Sequence, residues 1–188
     1  MNSYDVTHRV VVSTVYELPF GRGKQFGSSM PSAFDKLLGG WQLNGIFQIQ
    51  SGFPFSIGAV DLSGTASSSF MRANLVGNPH SADPVDPTRA FNRYAFAQPA
   101  AGTFGNSGRN ILRGDHLNNW DLSFFKNNHL TERLNLQFRA EFFNVWNHTQ
   151  KGPFPGTGFS LDPNSSFGVY LGTQHDPRII QMSLKLIF

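Results

Sequence analysis

The stretch LNLQFRAEF, from Leu134 to Phe142, contains the pattern that decides the fold. Apolar and polar side chains alternate along it without exception: Leu134, Leu136, Phe138, Ala140 and Phe142 against Asn135, Gln137, Arg139 and Glu141. Successive side chains of a β-strand point to opposite faces, so this period of two predicts a strand with one apolar and one polar face.

The same alternation recurs elsewhere in the chain. Near the C-terminus one face would carry Ile180, Met182, Leu184, Leu186 and Phe188. Three further segments also favour strands: Val6–Leu18, Trp41–Ile49 and Asn119–Lys126. We therefore predict an all-β fold, an antiparallel up-and-down sheet of about five or six strands.

Composition indicates that water is not the only solvent of this chain. Charged residues make up 14% of it, whereas roughly a quarter is usual for a soluble domain. No apolar run approaches the roughly 18 residues of a transmembrane helix, which excludes a helical membrane protein. Strands that turn an apolar face to lipid and a polar face to a lumen fit both observations, so we expect a segment of a transmembrane β-barrel.

Five or six strands are too few to close such a barrel, since the smallest have about eight. An open sheet edge cannot lie in lipid, so we expect other strands to complete this sheet. We also expect those strands to precede this chain in a longer protein. Residues 1–188 would then be the C-terminal part of a barrel domain, an open sheet when taken alone.

The connections fit strands that run alternately up and down. If the last strand ends at the inner side of the membrane, Gly52–Asn118 and Asn147–Asp176 become long outward loops. Asn127–Thr131 becomes a tight inner turn. Pro19–Lys36 is long for an inner connection, and we predict a short helix at about Ser32–Leu38. The Asp-Pro pairs of the first outward loop favour turns over regular structure.

The sequence offers little for catalysis or cofactors. It has no Cys, and its six His residues show no metal-binding spacing. Gly21-Arg22-Gly23-Lys24 lacks the spacing of a phosphate loop, so we interpret it as a turn, and Ser63–Ser69 lacks a nucleophile motif. The basic residues are scattered. We expect no enzyme activity, no cofactor, no metal site and no nucleic-acid partner.

Five stretches together carry a resemblance to a known family. They are LPFGRGK at Leu18–Lys24, GGWQLNGIFQIQSGFPFS at Gly39–Ser56, GRNILRG at Gly108–Gly114, WDLSFFKN at Trp120–Asn127 and LQFRAEFFNVWNH at Leu136–His148. Together they resemble the C-terminal barrel of TonB-dependent receptors, in particular the Oar-like group, which carries a carboxypeptidase-regulatory-like domain at its N-terminus.

This resemblance implies a bacterial outer-membrane receptor with a barrel of about 22 strands around a plug. The TonB complex would drive ligand import through N-terminal parts that, like the plug, lie outside this chain. Outer-membrane lipid, the remaining strands and the plug would be its partners.

Site residues follow from the alternation if the strands form a barrel. Lipid would face Leu134, Leu136, Phe138 and Phe142, and the lumen would face Asn135, Gln137, Arg139 and Glu141. The C-terminal alternation Ile180, Met182, Leu184, Leu186 and Phe188 resembles the signal that barrel-assembly machinery reads by strand addition. Trp41, Trp120 and Trp146 lie near predicted strand ends, where they would form either an interfacial girdle or ordinary core contacts.

A soluble or cell-surface β-sandwich, such as a carbohydrate-binding module, also explains the alternation. The two alternatives differ in where the apolar face lies. A sandwich buries that face against a second sheet, whereas a barrel exposes it to lipid.

Deletion of Phe188 tests the assembly signal. In the full-length receptor we expect less assembled barrel in the outer membrane and an unchanged ligand preference, because the terminal aromatic residue would help to dock the last strand. Heat-modifiable mobility of outer-membrane fractions on gels measures assembly. Unchanged assembly would contradict the role of Phe188.

Overall fold

A computed structural model describes residues 2–65, 71–152, 161, 167–170 and 172–188. Its elements are β1 (Arg9–Glu17), α1 (Ser32–Leu38), β2 (Trp41–Gln50), β3 (Pro54–Phe55), β4 (Gly58–Ala59), β5 (Met71–Arg72), β6 (Asn74–Leu75), a 3-10 helix (Arg93–Ala95), β7 (Phe96–Ala97), β8 (Leu112–Arg113), β9 (Leu117–His129), β10 (Asn135–Phe143) and β11 (Ile179–Ile187). They fall into two compact units.

The first unit, called here the sheet unit, comprises Arg9–Ile49, Asn118–His148 and Asp176–Phe188. Its long strands form one five-stranded sheet in the order β1-β2-β9-β10-β11. Each of these strands lies beside the next long strand in the chain, and β10 is antiparallel to both β9 and β11. The predicted antiparallel up-and-down sheet is confirmed, with all five strands within a few residues of their expected bounds.

The connection between β9 and β10 differs from the prediction. Asn127 and Asn128 were expected in an inner turn, but they pair with Gln137 and Leu136 inside the sheet. The turn lies after His129, where Leu130 N donates to Leu134 O at 2.8 Å. Asparagine favours turns locally. An earlier turn would, however, leave the backbone groups of Asn127 and Asn128 without their hydrogen bonds to β10, and unpaired backbone groups are costly.

The helix α1 has the predicted bounds, Ser32–Leu38. Gly39 and Gly40 then end it, and Gly40 has a φ of +72°, a conformation that residues with a Cβ rarely adopt. A Cβ at Gly40 would also collide with the carbonyl oxygen of Asn127. Glycine at this position therefore lets the chain leave the helix and enter β2 directly.

The second unit, called here the loop unit, comprises Met1–His8, Gln50–Leu117 and Thr149–His175, as far as they are described. The large predicted loop within it contains more regular structure than expected: three two-stranded sheets pair β3 with β8, β4 with β5 and β6 with β7. Much of Asn147–Asp176 and part of Ser63–Ser69 lie outside the described residues.

A hydrophobic core lies in the loop unit. Ile57, Met71, Phe91, Phe96, Leu112 and Phe167 are among its buried members. The ring of Phe91 packs edge-on against Phe96 at 5.9 Å and Phe167 at 5.2 Å, between ring centroids. Aromatic contacts of this geometry add stability beyond that of area burial. The unit therefore has the packing of a small folded body.

A buried ion pair joins Asp83 to Arg93 in the loop unit. Arg93 Nε donates to Asp83 Oδ2 at 2.7 Å, and the backbone N–H groups of Val85 and Asp86 donate to Asp83 Oδ1, each at 3.0 Å. The pKa of Asp83 is held well below its ordinary value, chiefly by the Arg93 hydrogen bond and further by these backbone donors, against burial, which raises it.

The sheet unit is built differently, because many apolar side chains on its outer strands are exposed, while most of those on β10 are half-buried. Met182 and Leu184 on β11 are each 67% exposed, and Val10, Val12 and Tyr16 on β1 are exposed too. On the sheet strands, Ala140 is the buried apolar residue among those described. A β-sandwich would bury these side chains, so the sandwich alternative does not fit.

The two faces of β10 should respond differently to charge. If lipid contacts the apolar face, we expect Phe138→Arg to destabilise the full-length protein and lower its folded fraction, at a cost of about 2–4 kcal/mol at mid-membrane depth and less nearer the interface. Gln137→Arg, the matched control on the opposite face, should have little effect. Heat-modifiable gel mobility of outer-membrane fractions reports the folded fraction, and equal effects of both changes would contradict the assignment of the faces.

Removing the buried carboxylate should loosen the loop unit. We expect Asp83→Asn to cost about 3–5 kcal/mol, because Arg93 is left as an uncompensated buried charge. Asp61→Asn is the control, since Asp61 only accepts hydrogen bonds from nearby Ser63. Hydrogen exchange of the amides around Phe91–Phe96 measures the effect. Equal exchange in both variants would show that the pair does not stabilise the unit.

The same pair predicts a pH dependence. A carboxylate with a lowered folded-state pKa stabilises the fold above its unfolded pKa of about 3.9, and this contribution is lost as the pH falls towards the folded value. The protection factors of the wild-type loop-unit amides, which correct for the pH dependence of intrinsic exchange, should therefore fall below about pH 4. They should fall less steeply in Asp83→Asn, which lacks the titrating group.

Candidate functional site

The apolar face of the sheet is continuous across neighbouring strands. Residues directly opposite each other in a sheet lie on the same face. Phe138 lies opposite Leu184, Ala140 opposite Phe124 and Met182, and Phe142 opposite Leu122 and Ile180. The rings of Phe124 and Phe142 also contact edge-on at 6.0 Å. The structure thus brings the predicted lipid-facing residues of β10 and the predicted assembly-signal residues of β11 onto one surface.

The opposite face is lined with polar side chains. Asn135, Gln137, Arg139 and Glu141 alternate with the apolar set on β10 and lie opposite Ile187, Lys185, Ser183 and Gln181 on β11. Gln137 Nε2 donates to Asn127 Oδ1 at 2.8 Å, and Arg139 Nε donates to Gln137 Oε1 at 2.8 Å. This network is what a water-filled lumen wall needs.

Arg139 and Glu141 do not form an ion pair with each other among the described residues. Arg139 instead lies over the ring of Phe125 on the neighbouring strand, with its guanidinium carbon 4.3 Å from the ring centroid. Phe125 is an apolar residue on this polar face. The Arg139 guanidinium makes a cation–π contact with its ring and so covers the ring.

Two polar residues of β9 interrupt the apolar face: Asn128 lies opposite Leu136 and Lys126 lies opposite Phe138. The Nζ of Lys126 lies 5.4 Å from the ring centroid of Trp41 and donates to the carbonyl oxygen of Gly39. Lys126 was not predicted as a site residue. Extending the alternation Trp120, Leu122, Phe124 by one further step would have placed it on this face.

The three tryptophans group at opposite ends of the sheet strands. Trp41 begins β2 and donates from Nε1 to Leu37 O at 3.1 Å. At the other end of the strands, the ring of Trp120 contacts Phe47 at 4.6 Å and Trp146 at 6.0 Å. Aromatic residues at both strand ends are typical of membrane interfaces.

The last strand, β11, pairs with β10 and with no other strand among the described residues. Phe188 follows β11 and is almost fully exposed. An unpaired strand edge with an exposed alternating apolar face can accept another strand. The role of these residues as an assembly signal stays a prediction.

A cavity of about 500 Å³ opens in the loop unit. Its lining comprises Ser3, Pro54, Phe55, Ser56, Arg72, Arg109 and Asn110. Asn110 has a positive φ of 56°, and its backbone N–H donates to Ser56 Oγ at 2.7 Å, which holds the wall together. A volume of this size suits a small-molecule ligand.

The described residues of the cavity lining include two arginines and no carboxylate. Elsewhere in the loop unit arginines pair with aspartates: Arg89 with Asp86, Arg93 with Asp83 and Arg113 with Asp5. Arg72 and Arg109 form no ion pair among the described residues. An anionic group on a ligand would find favourable charge there. Sequence reasoning missed this site because it depends on packing within the loop unit.

The stretch Gly21-Arg22-Gly23-Lys24 forms a turn, as expected, and Lys24 Nζ binds Glu17 Oε2 at 2.9 Å.

Among the described residues, no group of His, Asp and Glu has the arrangement of a metal site. None of the described helices has the length and hydropathy needed to span a membrane.

Comparison with known families agrees with this geometry. The family model described as "Outer membrane beta barrel domain" matches residues 1–181. No curated protein and no solved structure shows a significant match to the chain. The match covers nearly the whole sequence and includes four of the five sheet strands completely. This chain therefore belongs to the outer membrane beta barrel domain family and forms barrel wall in the bacterial outer membrane.

Proposed function

We propose that this chain is part of the barrel wall of a TonB-dependent receptor of the Oar-like group, which imports a ligand across the outer membrane. The observation that carries the proposal is the loop unit, with its own core and an arginine-lined cavity of about 500 Å³. A barrel that only spans the membrane needs no folded body between its strands, whereas a receptor needs a rigid surface that binds ligand.

The sheet supports a large barrel. Among the described residues, β1 and β11 each pair with one neighbour, so both strands have a free edge. Unpaired backbone groups in lipid cost several kcal/mol each, and closure with further strands removes that cost. The remaining strands of a receptor barrel, with the plug inside, are the partners that would supply closure.

The polar face supports a lumen that holds a plug or water. Amide and guanidinium groups dominate it, and they form hydrogen bonds along and between strands. Such groups can form hydrogen bonds with a plug surface or with a passing ligand, and they do not give the face a charge of one sign. The exposed apolar face of β11 supports recognition by barrel-assembly machinery during insertion.

Capture by TonB tests the proposal. We expect the in-frame coding sequence upstream of this chain to specify a plug domain and a TonB-contacting segment. The purified full-length protein should then bind the immobilised periplasmic domain of TonB, and deletion of the contacting segment should abolish binding. Heat-modifiable mobility of the deletion variant controls for barrel folding. A folded protein without a plug, or binding that survives the deletion, would contradict a TonB-dependent receptor.

A further inference from the structure

The short helix α1 is amphipathic, although it belongs to a connection between strands. Helical residues three and four apart lie on one side, which groups Phe34, Leu37 and Leu38. These side chains are 58%, 65% and 48% exposed, respectively. Lys36 lies on the opposite side of the helix, and Asp35 lies at the edge between the two sides. An apolar helix side exposed to this extent indicates contact with something other than water.

The charged edge of α1 is fastened to the preceding connection. Arg22 N donates to Asp35 Oδ1 at 2.7 Å. A Cβ on Gly21 or on Gly39 would lie within 2.8 Å of Asp35 Oδ1, so glycine at both positions lets the backbone approach this carboxylate. Asp35 therefore faces the connection, whereas Phe34, Leu37 and Leu38 remain exposed.

The C-terminal end of α1 meets the apolar face of the sheet. Trp41 Nε1 donates to Leu37 O, and Lys126 Nζ donates to Gly39 O. Lys126 lies opposite Phe138 and over Trp41, so both donors belong to the apolar face of the sheet. The C-terminal end of α1 is therefore joined to the face that a barrel would turn to lipid.

We propose that α1 is an interfacial helix that inserts Phe34, Leu37 and Leu38 into the phospholipid leaflet at this end of the strands. Under the up-and-down assignment this is the periplasmic leaflet. Helices of this kind lie in the plane of the membrane, with the apolar side at the boundary between headgroups and acyl chains. Trp41 suits the same depth, since an indole prefers the interface, and Lys126 is buried against Trp41 and Gly39 at this end of the strands.

Contacts with the rest of the chain explain how a helix of seven residues can be stable. Isolated helices shorter than about 12 residues are marginal in water. In this chain, the contacts of Asp35, Trp41 and Lys126 hold both the charged edge and the C-terminal end of α1. The cation of Lys126 also lies near the negative end of the helix dipole, which is favourable. Lipid contact would hold the remaining, apolar side.

Site-directed spin labelling tests the proposal, and it does so whether or not the barrel is a TonB-dependent receptor. The chain has no Cys, so single cysteines can be introduced in a cysteine-free form of the full-length protein. Leu37→Cys and Phe34→Cys carry the nitroxide on the apolar side, and Lys36→Cys is the matched control on the polar side. The protein is placed in vesicles of phosphatidylethanolamine and phosphatidylglycerol.

Collision with oxygen reports lipid, and collision with a water-soluble nickel chelate reports water. We expect the labels at 34 and 37 to collide more with oxygen than with the chelate, and the label at 36 to show the reverse. Gel mobility first confirms that each variant is folded. Two results would overturn the proposal: labels at 34 and 37 that collide with the chelate as often as the label at 36, or labels shielded from both reagents by protein.

Discussion

The register of the antiparallel ladder through β9, β10 and β11 is the constraint on which the sheet unit depends. Phe138 lies opposite both Lys126 and Leu184, and this alignment places every second residue of three strands on a common face. A slip by one residue would exchange the two faces, so that Arg139 and Glu141 would move onto the apolar face. Register, more than any single contact, therefore separates the apolar surface from the polar surface.

The exceptions on each face show how the sheet tolerates residues of the opposite character. Phe125 lies on the polar face, but the guanidinium of Arg139 covers its ring. Lys126 lies on the apolar face, but its ammonium contacts the Trp41 ring and the carbonyl oxygen of Gly39. Lys126 is itself buried, so these partners satisfy its ammonium within the protein. In both cases a neighbouring strand or connection supplies the partner.

Different interactions stabilise the two units. In the loop unit, buried aromatic rings form a core, and the ion pair of Asp83 and Arg93 lies inside it. In the sheet unit, the apolar side chains face outward, and the backbone ladder organises the strands. This contrast follows from the solvent of each unit. Water favours burial of apolar surface, whereas lipid accepts that surface and instead demands paired backbone groups.

The alternation along the chain was sufficient to predict the five strands and the grouping of Leu136, Phe138 and Phe142 on one side, and the length of the connection Pro19–Lys36 predicted the helix Ser32–Leu38. Period-two patterning is a property of neighbouring residues, so it can be read without a structure. Sequence alone did not place Asn127 and Asn128 inside the sheet, because their pairing depends on β10.

Tertiary structure alone revealed the features that join distant segments. The core around Phe91 and the cavity between Arg72 and Arg109 bring together residues that no local pattern connects. The Asp-Pro pairs did signal turns at Asp83 and Asp86, but not that Asp83 is paired with Arg93 in a buried site. Likewise, α1 was predictable as a helix, whereas its attachment to the apolar face arises from Trp41 and Lys126. Periodicity determines which side of an element is apolar, and packing between elements decides what that side meets.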